Sequence, residues 1–253
     1  MKLVAATLLA LCLASCVGTT GGDVIDFDAT ASGPAGAKPG MQFTTDRGWH
    51  VQLDKAVLHV GAVYLNEAVP VSGSQPTDCI LPGTYVAEVT DGLDVNLLSP
   101  KPQPFPRRGT GTTIPARAGE IWLDGSDIND LGDVTPILVI AGTAVKGSQT
   151  IPFTGKVTIG TNRQPGSTST TSHPICKERI VTPIPVHFAL TRRGTLRLIV
   201  DPRKFFVNVD FGTLTQFSSG YGFEDNSDDQ ASRNLYQNLK AAGAAYRFEW
   251  EAR

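Results

Sequence analysis

Short segments in which apolar and polar residues alternate recur along almost the whole chain, and this pattern most restricts what the sequence can fold into. In Trp49-His50-Val51-Gln52-Leu53-Asp54, the apolar residues occupy every second position, and Tyr246, Phe248 and Trp250 alternate in the same way with Arg247 and Glu249 near the end. A period of two puts alternate side chains on opposite faces of a strand, so each segment reads as a half-buried strand. Further strands are expected at 56–65 (AVLHVGAVYL), 84–89, 94–98, 120–125 (EIWLDG), 137–147, 153–160, 180–190 and 195–200. Phe205, Val207, Val209 and Phe211 predict one more, with Asn208 and Asp210 on its polar face.

The residues between these segments sharpen the expectation. Asp91-Gly92 predicts a hairpin turn joining the strands at 84–89 and 94–98, and Lys146-Gly147-Ser148 predicts another. TLRLIV follows the Arg192-Arg193-Gly194 turn and is expected to pair with His187–Leu190, while Pro183 and Pro185 push the start of that neighbour to a sheet edge. Prolines and glycines across 99–119 predict a loop rather than a central strand. One segment is helical. Ser227-Asp228-Asp229-Gln230 has the form of a capping box, Ala231, Leu235, Leu239 and Ala242 follow helical spacing, and Gly243 is a plausible stop. The fold class expected is therefore all-β, an antiparallel β-sandwich of immunoglobulin-like or jelly-roll-like form, with one short C-terminal helix near 228–242 and a final strand. A closed barrel of the lipocalin type is the alternative.

The N-terminus speaks to location. Lys2 is followed by Leu3 to Leu13, apolar except for Thr7. That run is too short for a finished transmembrane helix, which needs ~20 residues, and it matches a secretory signal peptide. Leu13-Ala14-Ser15-Cys16 resembles the lipobox of bacterial lipoproteins. The resemblance covers only the first sixteen residues; it implies cleavage before Cys16 and lipidation of that cysteine. Val17, where an inner-membrane retention signal has aspartate, favours the outer membrane by the same resemblance. The organisation expected is a signal peptide at 1–15, a lipidated N-terminus and tether at 16–40, and a single sandwich domain at 41–253. Within the tether, Val24, Ile25 and Phe27 form a candidate first strand.

Four cysteines are present: Cys12 leaves with the signal and Cys16 takes lipid, leaving Cys79 and Cys176. In an oxidising compartment these two are expected to form a disulfide, with two free thiols as the alternative. Closing a loop of about a hundred residues is worth roughly 4 to 5 kcal/mol in chain-entropy models.

Chemistry is harder to find. A net charge of -2 argues against an electrostatic nucleic-acid binder. The mature chain has neither Gly-x-Ser-x-Gly nor Ser-x-x-Lys, and the 109–113 stretch lacks the lysine of a phosphate loop. His50, His59 and His187 fall on expected strands, and they become joint metal ligands only if those strands are neighbours. The acidic run Asp124, Asp127, Asn129, Asp130 and Asp133 is a candidate calcium loop, since Ca²⁺ favours several oxygens at ~2.4 Å. It departs from an EF-hand at Leu131 and lacks the closing glutamate, Leu138 standing there instead. Phe105, Phe217, Tyr221 and Phe223 are candidates for a binding patch or for buried loop anchors. The expectation is a non-enzymatic envelope lipoprotein, attached to the membrane through its lipid and presenting loops to an envelope protein partner. The alternative is a module that captures a substrate or metal for an outer-membrane uptake system. A hydrolase, needing a nucleophile beside one of the histidines, is a third reading.

Overall fold

A computed structural model of the chain describes residues 22–69, 84–164, 174–223, 225 and 228–253. The strands are β1 (Val24–Ser32), β2 (Met41–Thr44), β3 (His50–Val60), β4 (Ala62–Asn66), β5 (Tyr85–Val89), β6 (Leu93–Asn96), β7 (Gln103–Pro104) and β8 (Gly109–Thr112). They continue with β9 (Pro115–Trp122), β10 (Leu138–Lys146), β11 (Gln149–Val157), β12 (Ile180–Ala189), β13 (Gly194–Val200), β14 (Gln216–Phe217), β15 (Gly220–Phe223) and β16 (Tyr246–Ala252). Helices α1 (Cys176–Arg179), α2 (Gln230–Lys240) and α3 (Ala242–Ala245) complete the set with short 3-10 turns.

The strands form two sheets facing each other across one core, the all-β sandwich expected. The larger runs β12-β9-β4-β5-β8-β1-β13-β16, with β7 on β1, and the smaller runs β14-β15-β11-β10-β3-β2, with β6 on β3. Pairing is antiparallel except for β1 with β13 and β11 with β15. β12 and β16, the two ends of the larger sheet, come into contact, so that sheet curls strongly. Phe27, Leu53, Leu58, Leu65, Ile121 and Leu138 are fully buried in the shared core.

Alternation explains most of β3, and its one lapse has a cause. Val51 and Leu53 point inward, but so do Ala56, Leu58 and Val60, in the opposite phase. The register against β10 slips between Ala141 and Gly142, a bulge that resets the phase of the strand. The hairpin at Gly147 joins β10 to β11 as expected, with Lys146 opposite Gln149. β12 is an edge strand, consistent with its prolines.

Several expectations need correction. AVLHVGAVYL is not one strand: it divides at Gly61, with β3 in the smaller sheet and β4 in the larger. The hairpin expected at Asp91-Gly92 is instead a second crossover between sheets, because β5 pairs with β4 and β8 while β6 pairs with β3. β13 pairs with β1 and β16, not with β12. The 99–119 region carries interior strands: β8 lies between β5 and β1, and β9 between β12 and β4. Gly109 admits this in β8, since a Cβ there would stand 2.4 Å from the Phe27 ring. The candidate first strand at Val24, Ile25 and Phe27 forms as β1 in the middle of the larger sheet, so residues 24–32 belong to the sandwich rather than to the 16–40 tether.

The strand expected over 204–211 is replaced by two 3-10 turns, at Pro202–Phe206 and Phe211–Thr213. Asp201 and Asp210 cap them by accepting from the N–H groups of Arg203 and Gly212, and Asn208 at φ 57° breaks the alternation. Phe206 and Phe211 join Trp49, Phe153 and Phe223 in an aromatic cluster, while Val207 is left outside. Helix α2 forms where its spacing predicts, burying Ala231, Leu235 and Leu239. Its cap is Asp229, accepting from the Ser232 N–H at 2.6 Å; the expected Ser227 lies outside the described residues. Gly243 does not stop α2 but lies within α3.

Candidate functional site

The acidic run closes around a protein cation. Arg179, the last residue of α1, is 0 % exposed, and its five N–H donors meet five acceptor contacts from backbone carbonyls. Nε donates to Ile159 at 2.8 Å. Nη1 donates to Asp127 at 2.8 Å and Ile128 at 2.9 Å, and Nη2 to Asp130 and Ile159, both at 2.6 Å. The loop's inward oxygens are therefore already engaged by a guanidinium. The Asp127 and Asp130 carboxylates turn back on the loop itself, accepting from the N–H groups of Asn129 and Gly132. The calcium loop expected from Asp124, Asp127, Asn129, Asp130 and Asp133 is corrected on this ground. Among the described residues, no group of three or more His, Cys, Asp or Glu side chains could hold a metal ion.

Two acids of the run face Arg179 in different ways. Asp133 lies 3.9 Å from Nη2 and accepts from the N–H groups of Gly125 at 2.7 Å and Thr135 at 2.8 Å. Burial pushes its carboxyl up, but these bonds, the Thr135 side chain and Arg179 hold it below the usual aspartate range. Asp124 is 4 % exposed, and among the described residues only its own backbone N–H bonds to the carboxylate. Burial raises its pKa; Arg179 and His59 oppose the rise without cancelling it, and Asp133 adds to it.

Asp124 is one wall of a cleft of about 310 Å³, lined also by Gly61, Tyr64, Thr90, Gly92 and Trp122. The cleft exists because β3 passes to the other sheet at Gly61. The Gly61 N–H donates to the Trp122 carbonyl at 2.9 Å, and a Cβ on Gly61 would stand 2.0 Å from Asp124 Oδ1, so only glycine brings the crossover so close to the carboxylate. Tyr64 and Trp122 contact each other with ring centroids 4.5 Å apart, and Tyr64 meets Tyr85 at 4.9 Å. Trp122 is braced from behind by Ile128, Cys176 and Ile180, a small apolar cluster on the outer face of the larger sheet.

Acidic groups surround this aromatic wall. Glu120, on β9 beside Trp122, is 0 % exposed and accepts from Asn66 Nδ2 at 2.9 Å and from the Tyr85 hydroxyl at 3.3 Å. Burial pushes its carboxyl up, with the Trp122 side chain, then Asn66 and Tyr85, pulling against it. Tyr64's phenol is raised by burial and then by Glu88, Asp124 and Glu120. Behind Gly92, His59 Nδ1 meets Asp94 Oδ1 at 2.6 Å, while its Nε2 is buried without a partner among the described residues.

The histidines scatter. His59 neighbours Asp124, but His50 is at the opposite end of β3, bonded to Thr44 Oγ1 at 2.9 Å, and His187 is exposed on β12. Phe105 and Phe223 are buried anchors, while Phe217 and Tyr221 are half-buried in β14 and β15. Cys176 is buried and disulfide-bonded; Cys79, its expected partner, lies outside the described residues, as does Cys16. No helix among the described residues is long and apolar enough to cross a membrane.

Arg179, Tyr64, Glu120 and Trp122 were not singled out in the sequence. Tyr64 and Trp122 read there only as members of apolar strands. The available signal was the non-core face of β9, where an acid and an aromatic, Glu120 and Trp122, share the side that a simple sandwich leaves to water.

No protein-family model matches the chain, and no curated protein matches it. Among solved structures, MbnP from Methylosinus trichosporium is similar with a TM-score of 0.38 and 11% identity, over 91% of this chain and 98% of that one. A likeness of that size fixes neither fold nor function.

Proposed function

We propose that the chain is a lipid-anchored protein of the cell envelope, held at the outer membrane through Cys16, which captures a small ligand in the cleft beside Gly61. The observation that carries the binding reading is the Asp124 carboxylate: buried, without a donor from any other described residue, and lining the same cleft as Tyr64 and Trp122. A fold does not keep a desolvated acid unpartnered without cost, and a concave site with aromatic walls and a few polar groups is the usual form of a ligand pocket. The reading is of binding, not of catalysis.

The anchor half rests on Leu13-Ala14-Ser15-Cys16. From Cys16 to Val24 the chain spans at most ~3.5 Å per residue, so the sandwich lies near the lipid surface. A ligand screen followed through the indole NMR signal of Trp122 tests the cleft. Absence of any saturable shift across ammonium, sugar, amino-acid and metal probes would sink that half. Acylation of Cys16, read by mass spectrometry and lost in Cys16→Ala, tests the anchor.

A protein partner is the second reading, favoured by Val134, which is 74 % exposed in the acidic loop, and Tyr85, 43 % exposed beside the cleft. Crosslinking from residue 134 in cells tests it; recovery of no single envelope protein at native abundance counts against it.

A further inference from the structure

We infer that the cleft binds an organic ammonium ion, with Asp124 as its counter-charge and Tyr64 and Trp122 as the aromatic faces it rests on. This deepens the small-ligand reading and depends on it.

Three observations converge. The first is a count of charge. The buried guanidinium of Arg179 has Asp133 at 3.9 Å, an acid already held by two backbone N–H groups. Asp124, more deeply buried, faces the same guanidinium, so two acids share one cation and one negative charge is left facing the cleft without a partner among the described residues. The second is the wall. Aromatic faces attract cations within about 6 Å, and ammonium ions most of all where water is excluded. Glu88, Asp124 and Glu120 all act on Tyr64 in the sense that disfavours added negative charge. An anionic ligand is disfavoured here, and a neutral one leaves Asp124 unanswered. The third is size and softness. At about 310 Å³ the cleft exceeds what a bare metal ion needs, and among the described residues it offers no set of three metal-ligating side chains. It suits a small organic cation.

The experiment uses the purified mature protein, with the Trp122 indole N–H signal assigned through Trp122→Phe. The probes are tetramethylammonium chloride, n-butylammonium chloride, n-butanol and glucose, titrated at constant ionic strength set with KCl. The expected result is a saturable shift with one or both ammonium salts, none with n-butanol, and about tenfold weaker binding in Asp124→Asn. Equal affinity for n-butanol and n-butylammonium overturns the inference, as does unchanged ammonium binding in Asp124→Asn. A shift with glucose alone overturns it too while leaving the cleft a binding site; no shift with any of the four overturns it as well, and extending the titration to amino-acid and metal probes without a shift overturns the small-ligand reading.

Acidification of the unaltered protein supplies a test that needs no variant. The groups facing Asp124 are Arg179, Asp133 and His59, with Tyr64 across the cleft and Asp94 behind His59. Ammonium affinity should fall as the Asp124 carboxyl takes up a proton, and the fall should persist in His59→Gln. Affinity independent of pH between about 4 and 8 would remove Asp124 from the site.

Discussion

Asp124 and Asp133 stand nine positions apart in one loop, face one buried arginine, and have opposite fates. Asp133 is held at both oxygens by backbone N–H groups, and its carboxyl is held below the ordinary range. Asp124 is buried more deeply and has no such hold, and its carboxyl is pushed above that range. Proximity to a guanidinium therefore does not settle whether an acid is structural. What settles it is how far the acid is withdrawn from water and whether the surrounding backbone supplies donors in its place. One acid closes the loop around Arg179. The other is left facing a cleft, and that asymmetry separates scaffold from site.

The arginine both acids face should show the largest effect. Arg179→Met strips donors from the carbonyls of Asp127, Ile128, Asp130 and Ile159 and leaves Asp124 and Asp133 without their neighbouring cation. Removing one member of such a buried arrangement costs about 3 to 5 kcal/mol. A denaturant midpoint within error of the unaltered protein would show that the loop does not depend on its arginine. Gly61→Ala should come next. Its methyl would be driven against Asp124 Oδ1, from 2.0 Å, and against the Asp124 carbonyl, from 2.4 Å, costing about 1 to 3 kcal/mol of overpacking. In Gly61→Ala with Asp124→Gly the clash with the side chain is gone but that with the carbonyl remains, so partial recovery of the midpoint is expected. Full recovery would place all of the strain on the carboxylate.

The two layers of this molecule were unequally legible in the sequence. Alternation marked the sandwich because burial of one face is written every second residue, as in Val51 and Leu53 or Tyr246 and Phe248. Topology was not, because a strand that changes sheets reads like one that continues: Val60 and Ala62 are both buried on either side of Gly61, and nothing local says that the chain has crossed over. The interior positions of β8 and β9 were hidden by Gly109, Gly111 and Pro115, residues whose place there depends on long-range contacts with Phe27, Ala87 and Ala189. At the site, the acids were visible and their partner was not. Arg179 follows in sequence by 46 to 55 positions and carries no motif; its role exists only once α1 is packed under the loop. The acidic run looked like a cation site, and it is one, filled by a side chain.

Removing the structural acid should have a moderate effect. Asp133→Asn keeps the shape but weakens the bonds from Gly125 and Thr135 and discharges the neighbour of Arg179, for a loss of about 2 kcal/mol at neutral pH. Because the folded carboxyl is held below its unfolded value, its contribution is present above about pH 3.9 and lost as pH falls through the folded value. The gap between the two proteins should therefore close on acidification. A gap constant from pH 7 to 3 would mean that the charge of Asp133 does not contribute.

Asp124→Asn should have the smallest effect on stability, and in the opposite sense. A carboxyl raised by burial binds its proton more tightly folded than unfolded, so its favourable contribution is present below about pH 3.9 and is lost as pH rises through the folded value. At neutral pH the unaltered protein then carries an ionised, desolvated acid that the amide does not. The variant is expected to match or exceed it by up to about 1 kcal/mol, with the difference vanishing in acid. Thermal unfolding at pH 7.5 and pH 4 measures this directly. A loss of 2 kcal/mol or more at neutral pH, about what is expected for Asp133→Asn, would make Asp124 a second structural partner of Arg179. In the expected case the fold tolerates the charge at a small cost, and the contacts that would repay it lie in the cleft, from a cation the protein does not itself supply.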